Sequence, residues 1–106
     1  LFGDIFEAVK RIKERAPILT KVEVECDTIA QVKASVNAGA DLIMLDNMSS
    51  SEMKTAVDLV NNNIPLECSG NVNLDNIREK ALTGVNYISV GAITQSATCI
   101  DIGLDA

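Results

Sequence analysis

Asp41–Asp46, which reads DLIMLD, decides the fold: it is a short apolar run that ends on a carboxylate. Short runs rich in Leu, Ile and Val are typical of strands buried in a parallel sheet. Similar β-prone runs occur about every 22 residues along the chain. They are Lys21–Cys26 (KVEVEC), Pro65–Ser69 (PLECS) and Tyr87–Gly91 (YISVG). We therefore predict four short strands.

The segments between these runs carry apolar residues at helical spacing. A first helix precedes the strands, and Asp4 with Glu7 matches a capping box at its start. Its apolar stripe consists of Ile5, Phe6, Val9 and Ile12. A second helix begins after Asp27, which suits the N-cap, and ends at Gly39, a typical C-terminal stop.

Two further helices follow the second and third strands. Ser49 and Glu52 form another capping-box match at the start of the third helix. Its predicted buried residues are Met53, Ala56, Val57 and Val60. The fourth helix ends at Gly84. Its predicted apolar residues are Leu74, Ile77, Ala81 and Leu82.

Helices and strands thus alternate along the chain, which indicates crossover units, a parallel sheet and the α/β class. We interpret the four β/α units as part of an open TIM-like α/β barrel. The chain has 106 residues, whereas a complete barrel needs ~250. A doubly wound open sheet is the alternative. Part of a barrel has two exposed sheet edges, which further strands or a partner should cover.

Composition and charge exclude several classes of function. The net charge of −6 argues against nucleic-acid binding, which normally needs a basic surface. The chain has no histidine and three separated cysteines, which argues against a zinc site or a disulfide framework. No apolar run approaches the ~20 residues that cross a bilayer, and no leader-like segment opens the chain. These features predict a soluble cytoplasmic protein.

Two carboxylates stand at carboxyl ends of predicted strands, where the loops of a β/α barrel form the active site. Glu25 shares a strand face with Glu23 and lies nearer the barrel mouth. It is either a functional acid or a solvated one near the next helix. Asp46 is the better functional candidate, because Ser49 already suits the alternative role of helix cap. Together Glu25 and Asp46 could bind sugar hydroxyls or Mg²⁺, which prefers oxygen ligands.

Two glycine turns follow the last two predicted strands. Ser69-Gly70-Asn71 and Val90-Gly91-Ala92 each place backbone amides beside a strand end, where amides can hold a phosphate. Each turn alone could equally be an ordinary βα connection. Consecutive turns fit the recurrent phosphate site on the last strands of a barrel.

Other conspicuous residues are interpreted as structural. Cys26 and Cys68 lie near strand ends, but no histidine is present to activate them, so we predict small buried residues. The methionines Met44, Met48 and Met53 are expected to fill the core or its rim. The charged residues between Lys10 and Arg15 are predicted to form a solvated helix face.

The strand-end segments resemble quinolinate phosphoribosyltransferase, also called nicotinate-nucleotide pyrophosphorylase (carboxylating). The resemblance covers nearly the whole chain, in order and at family-like spacing. The matching segments are KVEVEC at Lys21–Cys26, AGADLIMLDNM at Ala38–Met48, LECSGNVNLDNI at Leu66–Ile77, TGVNYISVGAITQSA at Thr83–Ala97 and IDIGLD at Ile100–Asp105.

The resemblance implies an enzyme of NAD biosynthesis that converts quinolinate and phosphoribosyl pyrophosphate, with Mg²⁺, into nicotinate mononucleotide, pyrophosphate and CO₂. It implies that Glu25 and Asp46 contact the ribose-phosphate substrate and its metal. It further implies that the two turns hold the phosphate through backbone amides. The turn residues are Ser69, Gly70, Asn71, Val90, Gly91 and Ala92. Many members have histidine where this chain has Gln95, so no essential role is assigned to position 95.

The resemblance also implies an N-terminal sandwich domain and early barrel strands, whose arginines and lysines bind the carboxylates of quinolinate. The chain opens at Leu1 and carries few bases, so we interpret residues 1–106 as the C-terminal part of the barrel domain, holding the ribose-phosphate half of the site. We expect no turnover from this part alone and at least a homodimer in the intact enzyme. The alternatives are a related phosphate-binding barrel, such as the protein of molybdenum transport operons, and an inactive structural fragment.

Overall fold

A computed structural model describes the backbone of residues 2–15, 18, 20–70, 72–89 and 99–102, and the side chains of these except 2–4 and 99–102. Four helices and five strands occur in this part of the chain. The helices are α1 (Phe2–Arg15), α2 (Ile29–Ala38), α3 (Ser50–Val60) and α4 (Ile77–Ala81). The strands are β1 (Lys21–Cys26), β2 (Leu42–Asp46), β3 (Leu66–Ser69), β4 (Tyr87–Ile88) and β5 (Cys99–Ile102).

The strands form one parallel sheet in the order β4-β3-β2-β1-β5. The first four lie side by side in chain order, as expected for consecutive β/α units. The fifth strand was not predicted. β5 pairs with the other side of β1, with Glu23 opposite Asp101. Among the described strands, the sheet edges are therefore β4 and β5, and β1 is an interior strand.

The helices form a single layer over one face of the sheet. α1 packs on α2, α2 on α3, and α3 on α4. Alternate strand residues such as Val24 and Leu45 are fully buried in one core with Val9, Val32 and Met53 from the helices. Helices on one face, over strands in chain order, are the arrangement of an α/β barrel rather than of a doubly wound sheet, which carries helices on both faces.

Helix caps agree with the sequence at three of the predicted positions. Gly39 ends α2 in the left-handed conformation, and Ser49 with Glu52 forms a complete capping box at α3. The N-cap of α2, however, is Thr28, so the prediction of Asp27 was wrong. Gln31 decides this, because its amide N–H bonds to Thr28 Oγ1 while its Oε1 accepts from the Thr28 amide, both at 3.2 Å. This reciprocal pair can form only around Thr28.

The predicted boundaries and apolar stripe of α1 were wrong at two positions. The helix begins at Phe2, so Asp4 lies inside it and is not the N-cap. Ile5 and Val9 are buried as expected, but Phe6 is 46% exposed because it lies at the margin of the stripe that faces α2. The charged residues between Lys10 and Arg15 are exposed, as predicted.

The fourth helix is shorter than predicted. Leu74 and Leu82 were expected to be buried, but they lie outside α4 and are 88% and 75% exposed. The cause is local. Asn73 Oδ1 accepts hydrogen bonds from the amides of Asp75 and Asn76, at 2.9 and 3.1 Å. Such a side-chain turn competes with the helix for the same backbone groups and delays its start.

Strand boundaries and core fillers mostly match the predictions. β1 has the predicted bounds, while β2 and β3 each begin one residue later than predicted. β4 ends at Ile88, and the rest of its predicted length reaches Val90 and Gly91, outside the described residues. The three methionines are buried. Among the described helices, none is long and apolar enough to span a bilayer.

Candidate active site

The sheet face opposite the helices, here called the inner face, is rich in acidic residues. Side chains alternate along each strand, so residues two apart share a face. Val22, Val24 and Cys26 belong to the core under the helices, which places the intervening acids on the inner face. Its described members are Lys21, Glu23, Glu25, Leu42, Met44, Asp46, Glu67, Ser69 and Tyr87.

Register places these residues in rows across the sheet. Glu25 stands opposite Met44, which stands opposite Glu67 on the next strand. Two residues closer to the carboxyl ends of the strands, Asp46 stands opposite Ser69. Neighbouring strands lie about 4.8 Å apart, so Glu25, Asp46 and Ser69 occupy one small region of the inner face. The structure thus brings both predicted carboxylates and the start of the first predicted turn together.

The contact between β2 and the turn after β3 is very close. The Asn47 amide donates to the Ser69 carbonyl at 3.1 Å. A Cβ atom on Gly70 would lie 2.5 Å from Asn47 Oδ1 and 3.1 Å from Asp46 Oδ1, and Gly70 has φ +83°. Position 70 therefore requires glycine for both space and backbone conformation. The absence of a side chain lets Asp46 and Asn47 reach the backbone of the turn.

Several predicted site residues lie outside the described residues. Asn71 of the first turn is one of them, and Val90, Gly91 and Ala92 make up the whole second turn. Gln95 also lies outside the described residues. The first turn is therefore described through Ser69 and Gly70.

Two polar residues of the inner face were not predicted. Glu67 is only 6% exposed, and its Oε2 accepts a hydrogen bond from Ser89 Oγ at 3.0 Å. Ser89 follows β4, and its amide donates to the Cys68 carbonyl at 2.9 Å. The signal for Glu67 was present in the sequence, because it shares strand periodicity with Ser69 in the run LECS. Its partner Ser89 could not be found this way, since the two are 22 residues apart.

Cys26 and Cys68 are structural residues, as predicted. Cys26 and Cys68 are both buried on the helix side of the sheet and are free thiols. Burial raises the pKa of Cys26 from 9.0 to about 11, partly opposed by its contact with Ser35. Burial likewise raises the pKa of Cys68. Both thiols therefore stay protonated near neutral pH and are poor nucleophiles.

A magnesium ion could find only part of its coordination here. Within the part of the chain that the structure describes, no three His, Cys, Asp or Glu side chains converge closely enough to hold a metal. Mg²⁺ commonly takes one or two carboxylates and completes its shell with waters and substrate phosphates. Glu25 and Asp46 offer oxygen donors of the right chemistry for that kind of shared site.

The one-sided helix layer and the first four parallel strands, side by side in chain order, define the class as an α/β barrel protein. Residues 1–105 match the sequence profile of the family described as quinolinate phosphoribosyl transferase, C-terminal domain. The chain belongs to this family, and the resemblance drawn from its motifs is confirmed.

Relatives of known sequence and structure agree with this assignment. The probable nicotinate-nucleotide pyrophosphorylase (carboxylating) of Bacillus subtilis is 38% identical over 103 residues, which cover 97% of this chain and 36% of that protein. The nicotinate-nucleotide pyrophosphorylase structure from Francisella tularensis has a TM-score of 0.79 at 38% identity, covering 86% of this chain and 33% of that one. The Ehrlichia chaffeensis structure has a TM-score of 0.75 at 48% identity, covering 79% and 30%. The chain thus spans about a third of the length of the curated relatives it matches.

Proposed function

We propose that this chain serves the quinolinate phosphoribosyltransferase reaction of de novo NAD biosynthesis. In that reaction, quinolinate and phosphoribosyl pyrophosphate give nicotinate mononucleotide, pyrophosphate and CO₂. The observation that carries the proposal is the approach of Asp46 and Asn47 to the Ser69–Gly70 turn. It sets oxygen acceptors beside backbone amides, a combination that suits a sugar joined to a phosphate.

In this proposal the two carboxylates orient the ribosyl donor. Glu25 and Asp46 accept hydrogen bonds from ribose hydroxyls and provide oxygen ligands to Mg²⁺. When bound, the ion would neutralise the departing pyrophosphate. As pyrophosphate leaves, positive charge develops at the anomeric carbon, and nearby carboxylates stabilise that charge. The quinolinate nitrogen then forms the new bond to this carbon, and the adjacent carboxyl group leaves as CO₂, replaced by a proton.

The phosphate of the donor is assigned to the glycine turns. The backbone amides after Ser69 offer donors without a positive side chain, and Gly70 permits close approach. The resemblance extends this role to Asn71 and to the second turn, Val90, Gly91 and Ala92. Positioning of donor and acceptor would supply much of the rate enhancement, with no covalent enzyme intermediate.

The charges support assignment of only half of the site to this chain. Quinolinate is a dianion, and a dianion needs cationic partners when it leaves water. On the described part of the inner face, Lys21 is the only base, and it lies at the amino end of β1, away from the mouth. We propose that the quinolinate-binding cations belong to an N-terminal sandwich domain and early barrel strands.

A chimera tests the proposed function. This chain would replace the matching C-terminal segment of the Bacillus subtilis relative, and quinolinate-dependent formation of nicotinate mononucleotide would be measured. We expect turnover from the chimera and none from the chain alone. A folded chimera without turnover would favour the related barrel of molybdenum transport operons. Turnover by the chain alone would contradict the assignment of half a site.

We further propose a cytoplasmic enzyme that acts as a homodimer or larger homo-oligomer. Buried free thiols at Cys26 and Cys68 suit a reducing compartment. Among the described strands, β4 has one side without a partner strand, and this side suits coverage by other strands or a second subunit. Sedimentation of the chimera would measure the oligomeric state, and a monomer would contradict this part of the proposal.

A further inference from the structure

We propose that Asn47 is a positioning residue for the ribose-phosphate substrate: its side-chain amide packs against Gly70 and holds the turn after β3 in place. This inference rests on the proposed function, because it assigns a further residue to the same site. Asn47 takes part in a further interaction besides its backbone hydrogen bond to Ser69. We therefore assign it no direct contact with the substrate, and its effect passes through the backbone of Ser69 and Gly70.

The backbone of Asn47 is left-handed directly after a strand. Its φ is +54°, in a region that asparagine enters more readily than most residues but at some cost in free energy. Apart from glycines, only Asn61 and Asn62 among the other described residues have a positive φ. Asn61 is the C-cap of α3, where this conformation is common, and Asn62 follows it. Asn47 instead follows β2, so no helix end accounts for its conformation.

This conformation brings Asn47 against the neighbouring turn. Its amide donates to the Ser69 carbonyl at 3.1 Å. A Cβ atom on Gly70 would lie 2.5 Å from Asn47 Oδ1 and 3.0 Å from Asn47 Cγ. The side-chain amide of Asn47 thus fills the space that a side chain at position 70 would take. Gly70 is itself left-handed, so two left-handed residues at neighbouring strand ends fit against each other.

The contact lies at the open end of the sheet rather than in the core. Asn47 is exposed and Gly70 is half-buried, so hydrophobic packing does not account for the left-handed backbone of Asn47. Left-handed residues other than glycine cluster at active sites and ligand sites, where they hold binding groups ready. Here the group that Asn47 holds is the turn whose backbone amides are assigned to the phosphate.

The chemistry of the side chain also suits this place. Asp46 Oδ1 would lie 3.1 Å from a Cβ atom on Gly70, so one carboxylate already stands beside the turn. An amide at position 47 fills the adjacent space without adding a second negative charge. An aspartate there would have nearly the same shape, but its charge would repel a phosphate bound by the turn.

Removal of the side chain tests the inference without any need for turnover. The purified chain would be titrated with ribose 5-phosphate, followed by NMR shifts of the Ser69 and Gly70 amides. Asn47→Gly keeps access to the left-handed backbone but removes the amide that packs on Gly70. We expect its Kd to rise about five- to thirtyfold, the factor that corresponds to ordering the backbone of one further residue on binding. In the free chain, NMR relaxation should show a more mobile Gly70 amide.

Asn62→Gly is the matched control. Asn62 is also exposed and left-handed, with φ +64°, but it lies in the loop before β3, at the other end of the strand. The same substitution there should leave both the Kd and the mobility of Gly70 unchanged. A difference between the two variants therefore reports the contact of Asn47 with the turn rather than a general effect of glycine.

Asn47→Asp tests whether the phosphate lies beside this contact. Aspartate tolerates the left-handed backbone, so the main change is the added negative charge. Binding of ribose 5-phosphate should be weaker than in wild type. The deficit should shrink as salt rises from about 0.01 M to about 1 M, because ions screen the repulsion. The deficit of Asn47→Gly should not depend on salt, since that variant has no added charge.

Several outcomes would overturn the role of Asn47. They are wild-type affinity in Asn47→Gly, an equal loss in Asn62→Gly, a salt-independent deficit in Asn47→Asp, and no binding of ribose 5-phosphate by the wild-type chain. The proposed function fails separately. If the chimera makes no nicotinate mononucleotide while Asn47→Gly weakens sugar-phosphate binding as expected, the proposed reaction is wrong and the positioning role of Asn47 stands.

Discussion

Asp46 on β2 and Gly70 after β3 approach each other so closely that a Cβ atom at position 70 would lie 3.1 Å from Asp46 Oδ1. A carboxylate at the end of one strand thus lies beside the turn that follows the next strand. This relationship joins the acidic and the amide-rich parts of the proposed site. It can be tested by substitution of Gly70 or of Asp46.

Gly70→Ala should damage both stability and binding. The new methyl group would strain a left-handed backbone by about 1 kcal/mol and push Asn47 Oδ1 away from its position 2.5 Å from the new atom. Gly39→Ala is the matched control, because Gly39 has φ +82° but its nearest neighbour is the flexible Lys13 Nζ at 3.6 Å. Urea unfolding should show a loss in both variants, whereas ribose 5-phosphate titration should show a loss only for Gly70→Ala.

Asp46→Asn should lower turnover of the Bacillus subtilis chimera by at least about a hundredfold, since electrostatic stabilisation of a transition state is commonly worth this much. Its melting temperature should stay nearly unchanged, because asparagine keeps the shape of the side chain. Asp58→Asn is the control: Asp58 is exposed on α3 and pairs only with Lys54 at the surface. Near-normal turnover in Asp46→Asn would remove Asp46 from the site.

The raised pKa of Cys26 predicts a change of stability at alkaline pH. The pKa in the folded chain is about 11, against an ordinary value of 9.0, so the folded state holds its proton more tightly than the unfolded state. The stability that depends on this proton is fully present below pH 9 and is lost as pH rises toward 11. The melting temperature of wild type should therefore fall more steeply across this window than that of Cys26→Ala. Parallel curves for the two proteins would contradict the shift.

Thr28→Ala should destabilise the chain by about 1 kcal/mol, the usual cost of losing an N-cap side chain. Asp27→Ala should cost much less, because the Asp27 side chain makes no cap in α2. Chemical denaturation of both variants measures the difference. A larger loss in Asp27→Ala would restore the N-cap predicted from sequence.

Much of the architecture was accessible from local pattern. The run KVEVEC predicted β1 with its observed bounds, and the capping box of Ser49 and Glu52 predicted the start of α3. Such features depend on residues close together in sequence, so propensity and periodicity reveal them. The prediction of α4 was wrong because the turn around Asn73 competes with a helix that the apolar pattern alone would extend.

The residues of the candidate site likewise fall into those that the sequence predicted and those that it did not. Glu25, Asp46, Ser69 and Gly70 could be nominated from sequence, because carboxyl ends of parallel strands meet at one edge of a sheet. Glu67 shares strand periodicity with Ser69 but was missed, because its burial and its bond to Ser89 become visible only in the structure. The family motifs added the substrate class, which no local pattern contains.

By itself, the sequence determined the α/β class, the order of the first four strands and the residues at their ends, because side-chain alternation and capping are local. Only the tertiary structure decided that β5 lies beside β1 and that Ser89 bonds to Glu67. It also decided that position 70 has no room for a side chain against Asp46 and Asn47. These relationships depend on strand register and crossover, which bring together residues far apart in the sequence, so no local pattern reveals them.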